Sequence, residues 1–197
     1  MYKIKNRNLL FILSILMLSL FSACSDGPAP DTLDLDEDFK CAKDGVAAPE
    51  WVCGNVEHED IQVAIGFAEY SKIGRSFTLK EATSDGVTKV KKESQSYIRA
   101  KVQEFARMMD AELGDIADKA LEDIAQEISK VEKNDYKQIK EWQNSANSDL
   151  YVLIAIQNRW LNEQIKARLL SLYKTDVTVY KKFQELDGED KLDDLFE

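Results

Sequence analysis

The chain is poor in the residues on which most catalytic centres depend. Its 197 residues include one histidine, His58, and three cysteines. A Ser-His-Asp or Cys-His nucleophile would rest wholly on His58, whose neighbours Glu57, Glu59 and Asp60 mark an acidic turn and not a base in a pocket. A zinc centre would run short of ligands for the same reason. No Gly-x-Gly-x-x-Gly, Gly-Lys-Ser/Thr, His-Glu-x-x-His or Gly-x-Ser-x-Gly occurs, so nucleotide, metalloprotease and α/β-hydrolase chemistries lose their usual signatures. Acids are plentiful, 36 Asp and Glu against 26 Lys and Arg, and no pair can be singled out for glycoside hydrolysis. No basic patch with interleaved aromatics is present, and a net charge of −10 repels phosphate backbones, which excludes nucleic acid as a partner. The composition implies no catalytic residue, no cofactor and no metal.

Long apolar runs are also missing, with one exception at the start. Lys3, Lys5 and Arg7 precede Leu9 to Leu20 (LLFILSILMLSL), and Phe21, Ser22 and Ala23 lead into Cys24. A basic region, an apolar region and small side chains in that order are the layout of a secretory signal. The apolar run spans only about 18 Å as a helix, against about 30 Å of hydrocarbon, so a permanent membrane span is disfavoured. Leu20-Phe21-Ser22-Ala23-Cys24 resembles the lipobox of bacterial lipoproteins. That likeness implies a diacylglyceryl group on the Cys24 thiol, cleavage before it and acylation of the new amine, which would anchor the protein in a membrane by several acyl chains. Ser25 in place of Asp favours the outer membrane by the same likeness. Residues 1–23 carry three basic groups and no acid, so their removal takes the net charge from −10 to −13.

Residues 24–40 read as an acidic tether. They hold Pro28, Pro30, Asp34, Asp36, Glu37 and Asp38, with few large apolar side chains and no calcium-loop spacing. Cys41 and Cys53 follow. In an oxidising compartment they are expected to pair, since the intervening AKDGVAAPEWV contains Gly45 and Pro49 and can double back. Trp51 lies beside that bridge, where it either packs or stacks on a sugar.

Periodicity then sets the elements. Gln62 to Tyr70 reads as a strand with Val63, Ile65 and Phe67 on one face and the flat Ala64, Gly66 and Ala68 on the other. Both faces are uncharged, which predicts a central strand. A long helix is expected from Thr78, with Thr78 and Glu81 at capping-box spacing and Gly86 lying against the flat strand face. It breaks near Met109, and Gly114 and Asp115 suggest a restart. Ile116, Ala120, Leu121, Ile124, Ile128 and Val131 form the next apolar stripe. Tyr136 to Gln143 and Leu150 to Ile156 are expected to pair as a hairpin through the turn residues 144–149, with Leu150, Val152, Ile154 and Ile156 opposite Tyr151, Leu153 and Ala155. Asn158 is placed to cap a third helix that buries Leu161, Ile165, Leu169 and Leu172. Residues 176–197 form an amphipathic helical tail with Val179, Phe183 and Leu186 on one face. Gly188 interrupts it, and Leu192, Leu195 and Phe196 make a last apolar patch. The organisation is a signal peptide at 1–23, a tether at 24–40, an α+β domain at 41–175 and the tail. The domain is expected to pack long helices on one face of a small antiparallel sheet.

Four features in this order resemble the Lpp-twenty family of small outer-membrane lipoproteins. They are Cys24 with its tether, Pro49-x-Trp51 before the first long strand, the Ala64 to Ala68 strand leading into a long helix, and Trp142 followed by Tyr151-Val152-Leu153-Ile154. The likeness spans about residues 49–170. It implies an α+β envelope domain without established catalytic residues, of a kind regarded as surface or periplasmic interaction proteins, with similar domains in flagellar assembly accessories. The leading expectation is therefore a non-enzymatic, lipid-anchored protein of the outer membrane that binds another envelope protein. A glycan- or small-ligand-binding module, with Trp51 or the hairpin aromatics lining a groove, is the alternative, and a peptidoglycan hydrolase a distant third.

Overall fold

Among the described residues, three antiparallel strands and five helices form the body of the fold, with a short hairpin on the far side of the sheet. The computed structural model describes residues 41–54, 56, 58–130, 132 and 134–196. Cys24, the signal segment, the tether and Val131 lie outside these. The elements run β1 (Cys41–Lys43), β2 (Val46–Ala48), a 3-10 turn (Glu50–Cys53), β3 (Ile61–Ala68), α1 (Arg75–Met108), α2 (Ala111–Ile128), β4 (Lys137–Gln143), β5 (Leu150–Gln157), α3 (Asn158–Tyr173), α4 (Val177–Glu185) and α5 (Gly188–Phe196). The main sheet has the order β3-β5-β4. Helices cover one face of it, so the α+β expectation holds.

The alternation in β5 sorts its side chains as its sequence predicts. Leu150, Val152, Ile154 and Ile156 join the core under the helices, while Tyr151 and Leu153 join a smaller cluster on the opposite face. Its central position accounts for the near-continuous apolar run.

Among the described residues β3 pairs with β5 alone and is an edge strand, not a central one. Its two uncharged faces have a different cause: α1 covers one, and the hairpin with the 3-10 turn partly covers the other. The flat face works as expected. A Cβ on Gly66 would collide with the Ala82 carbonyl oxygen and sit 2.6 Å from the Gly86 amide nitrogen, and one on Gly86 would sit 2.6 Å from Ile154 Cγ1. Glycine on both sides lets helix and strand backbones touch.

At 34 residues, α1 is about 51 Å long, roughly twice the length of an eight-residue strand. Half of it must therefore overhang the sheet. Its buried row changes accordingly, from small Thr78, Ala82 and Gly86 over β3 to large Ile98, Val102 and Phe105 beyond. There Phe105 meets Tyr173 and Phe183, whose rings stack at 4.6 Å, and Tyr173 Oη donates to the Leu113 carbonyl at 2.8 Å. Burial, then the carboxylates of Asp110 and Asp118, push the Tyr173 phenol well above its ordinary value, so it stays a neutral donor. Phe183 and Leu192 are wholly buried in this cluster, with Leu195 and Phe196 packed at its rim.

Three expected helix starts differ. α1 begins at Arg75, and Thr78 is buried one turn inside it, its hydroxyl accepting the Ser71 amide and donating to the Gly74 carbonyl. α2 restarts at Ala111, not at Gly114: Asp110 caps it by accepting the Leu113 amide at 2.9 Å. Gly114 lies in the first turn, where a Cβ would press on the Ala106 carbonyl at 2.6 Å. Asn158 does not cap α3. Its side chain donates to the Glu59 carbonyl and accepts from Gln62 Nε2, tying the helix start to the start of β3. The buried side of α3 ends in Tyr173, and Leu172 is only partly covered.

Candidate functional site

The outer face of the sheet is where the chain presents something other than helix surface. Asp44 and Gly45 turn the β1–β2 hairpin with φ of 52° and 79°, a two-residue loop whose twist matches its strands. Pro49 begins the 3-10 turn, and the Cys41–Cys53 disulfide, twelve residues apart in sequence, ties its end to β1. Trp51, 4% exposed, and Val52 pack onto Tyr151 and Leu153. Buried Asn144, in the turn before β5, donates to the Lys43 carbonyl and to Asp44 and accepts the Ala146 amide. The hairpin is thus held by one covalent link, one aromatic plug and one amide clasp.

Beside it lies an open cleft of about 380 Å³ bounded by Lys43, Val52, Cys53, Gly54, Ile65, Phe67, Lys89 and Tyr151. Two of its lining rings, Phe67 and Tyr151, are 4.9 Å apart, and Trp142, outside the wall, packs behind Tyr151 at 5.5 Å. Its two cations differ. Lys89 is engaged, donating to Asp85 at 2.7 Å and to the Ile65 carbonyl at 3.1 Å, while Lys43 stands at the hairpin end. Burial raises the Tyr151 phenol above its ordinary value, and the carboxylates of Asp44 and Asp149 add to this, so it acts as a neutral group.

Beyond Phe67, further apolar side chains are exposed after the end of β3. Tyr70 is 47% exposed and Ile73 76%, with Phe77 also exposed. The loop that carries them is ordered by its own bonds. Tyr70 donates its amide to Asp149, Ile73 to the Ser71 hydroxyl, and Gly74, at φ 119°, closes the turn onto the Ser71 carbonyl. An Arg75–Glu141 ion pair fixes the first turn of α1 against β4.

Cys41 and Cys53 come together, whereas Cys24 lies outside the described residues. Trp51 packs and offers no face to a sugar. His58 is exposed, its Nδ1 accepting the Asp60 amide at 3.3 Å. Among the described residues no three His, Cys, Asp or Glu side chains gather as a metal site would require, and no helix is long and apolar enough to cross a membrane. A second, polar cleft of about 210 Å³ at the α1–α2 corner has Arg107, Asp115 and Asp118 in its wall. Of the expected groove lining, Tyr151 of the hairpin aromatics lines the cleft and Trp51 does not, while sequence patterns did not bring Lys43 and Phe67 to it. The Asp44-Gly45 dipeptide was the available signal for the short hairpin that places Lys43.

Comparison with known proteins returns no match to a family model, a curated protein or a solved structure.

Proposed function

We propose that this is a lipid-anchored protein of the bacterial outer membrane that acts without catalysis, by binding another envelope protein. The observation that carries the reading is the run from Lys3 through the apolar Leu9–Leu20 segment to Cys24. The Cys41–Cys53 disulfide supports an exported chain, because such bonds persist in oxidising compartments. The likeness to the Lpp-twenty family supports the non-enzymatic role. The exposed apolar side chains Phe67, Tyr70, Ile73 and Phe77, which lie between the end of β3 and the first turn of α1, support protein contact and are where we place it. A glycan module gains little support: the outer cleft has no tryptophan in its wall, and Trp51 is buried. A glycosidase gains as little, since Asp115 and Asp118 project from one helix beside Arg107.

Mass spectrometry of the intact native chain tests the anchor. The expected product begins at Cys24, carries the mass of acyl chains on it and lacks two hydrogens for the bridge. A product that begins elsewhere, or a Cys24→Ser chain that keeps its acyl label, would overturn the reading. A pull-down with the acylated protein tests the second half: Ile73→Asp should lose the envelope protein that the unaltered chain retains.

A further inference from the structure

We propose that Asp85 and Lys89 form a guard that closes the free edge of β3 against strand pairing with a second copy of this chain. The register pairs Ala64 with Ile154 and Gly66 with Val152, and the Asn158 amide bonds the Asp60 carbonyl. The residues of even number therefore face β5. Ile61, Val63, Ile65 and Phe67 turn their N–H and C=O groups the other way, where no strand lies among the described residues. Such an edge is a template for another chain.

The two edges of this sheet are managed differently. β4 is broken by a bulge between Gln138 and Lys140 and carries Lys137 and Lys140. β3 has none of these defences: eight residues (IQVAIGFA) without a bulge, a proline or a charge. What it has comes from α1. Asp85 Oδ2 accepts the Phe67 amide at 2.9 Å, and Lys89 Nζ donates to the Ile65 carbonyl at 3.1 Å. The Ile65 carbonyl and the Phe67 amide are the two groups that a single residue of a parallel neighbour would engage through its own N–H and C=O. The ammonium takes the place of that N–H and the carboxylate the place of that C=O. The 2.7 Å bond between them, one helical turn apart, holds them in register. A two-fold axis between two copies of this edge would pair them antiparallel, and that ladder needs the same Ile65 carbonyl and Phe67 amide, so the occupant excluded is a second copy.

The test uses the full chain in detergent. Asp85→Ala with Lys89→Ala removes one charge of each sign, so the net charge is unchanged. Sedimentation should show the unaltered chain as a monomer and the double variant shifting to about twice the mass as concentration rises. Amide exchange across Ile61–Ala68 should slow by about tenfold or more in the concentrated variant. Asp85→Asn and Lys89→Arg, which keep an acceptor and a donor, should stay monomeric, and so should Arg159→Ala with Glu163→Ala, which removes an ion pair on α3. The proposal is overturned if the double variant keeps the mass of the parent at every concentration, if the α3 control associates equally, or if the unaltered chain already pairs through Ile61–Ala68.

Discussion

The two faces of the three-stranded sheet are covered by different means. On the helix side, a continuous apolar cluster runs from Ala64 and Ala68 through α1 to Phe183 and Leu192. The area removed from water is large, and the closest contact is backbone against backbone at Gly66 and Gly86. On the hairpin side, Ala48, Trp51 and Val52 form a much smaller cover over Tyr151 and Leu153. So small a patch gains little from burial and is held instead by the disulfide and the Asn144 clasp. The comparison teaches that one side should carry the global stability and the other should open locally.

The largest effect should come from filling the close approach on the helix side. Gly66→Ala leaves its Cβ nowhere to go against the Ala82 carbonyl and should cost about 3 kcal/mol or more in urea unfolding. Gly54→Ala on the hairpin side meets open space and strains only a φ of 95°, for about 1–2 kcal/mol. Equal losses at the two glycines would break the contrast.

Removing the bridge should come next. Cys41→Ser with Cys53→Ser frees a loop whose closure is worth on the order of 3 kcal/mol by chain entropy, but that loss should appear locally. Amides of residues 41–54 and Trp51 fluorescence should respond first, while the amides of α1 and α2 keep their protection. Simultaneous loss of protection in both would show that the hairpin is integral to the helix-side core.

The smallest effect sharpens the helix side alone. The Lys182 ammonium beside Asp110, then the Leu113 amide, hold the Asp110 carboxyl below its ordinary range. A depressed folded value stabilises the protein above the unfolded value, and this is lost as pH falls through the folded one. The melting-temperature advantage of the parent over Asp110→Asn should therefore shrink below about pH 4, and the change should be read at the α1–α2 corner. An advantage that grew on acidification would contradict the assignment.

Much of this layout could be read from the residues. Strict alternation in Leu150–Ile156 gave the two faces of β5, and the flat Ala-Gly-Ala row foretold the seat of Gly86. The edge position of β3 was hidden because its apolar faces reflect what packs above and below, whereas its edge is closed by Asp85 and Lys89, side chains some twenty residues downstream. Thr78 looked like a cap because its spacing to Glu81 is right, yet a buried hydroxyl serves a turn as well as a helix end. Gly114 drew the restart of α2 away from Asp110, since a glycine that permits close helix packing looks the same in sequence as one that ends a helix. The outer cleft joins β1, β3, β5 and α1, so no local pattern could announce it.

The position of Phe183 and Leu192 in the innermost cluster has a consequence for timing. Phe105 and Tyr173 precede them in the chain and cannot be enclosed until both have left the ribosome. Until then the growing polypeptide carries bare aromatic rings of the sort that holding factors grasp, and the helix-side core cannot close before synthesis is nearly complete.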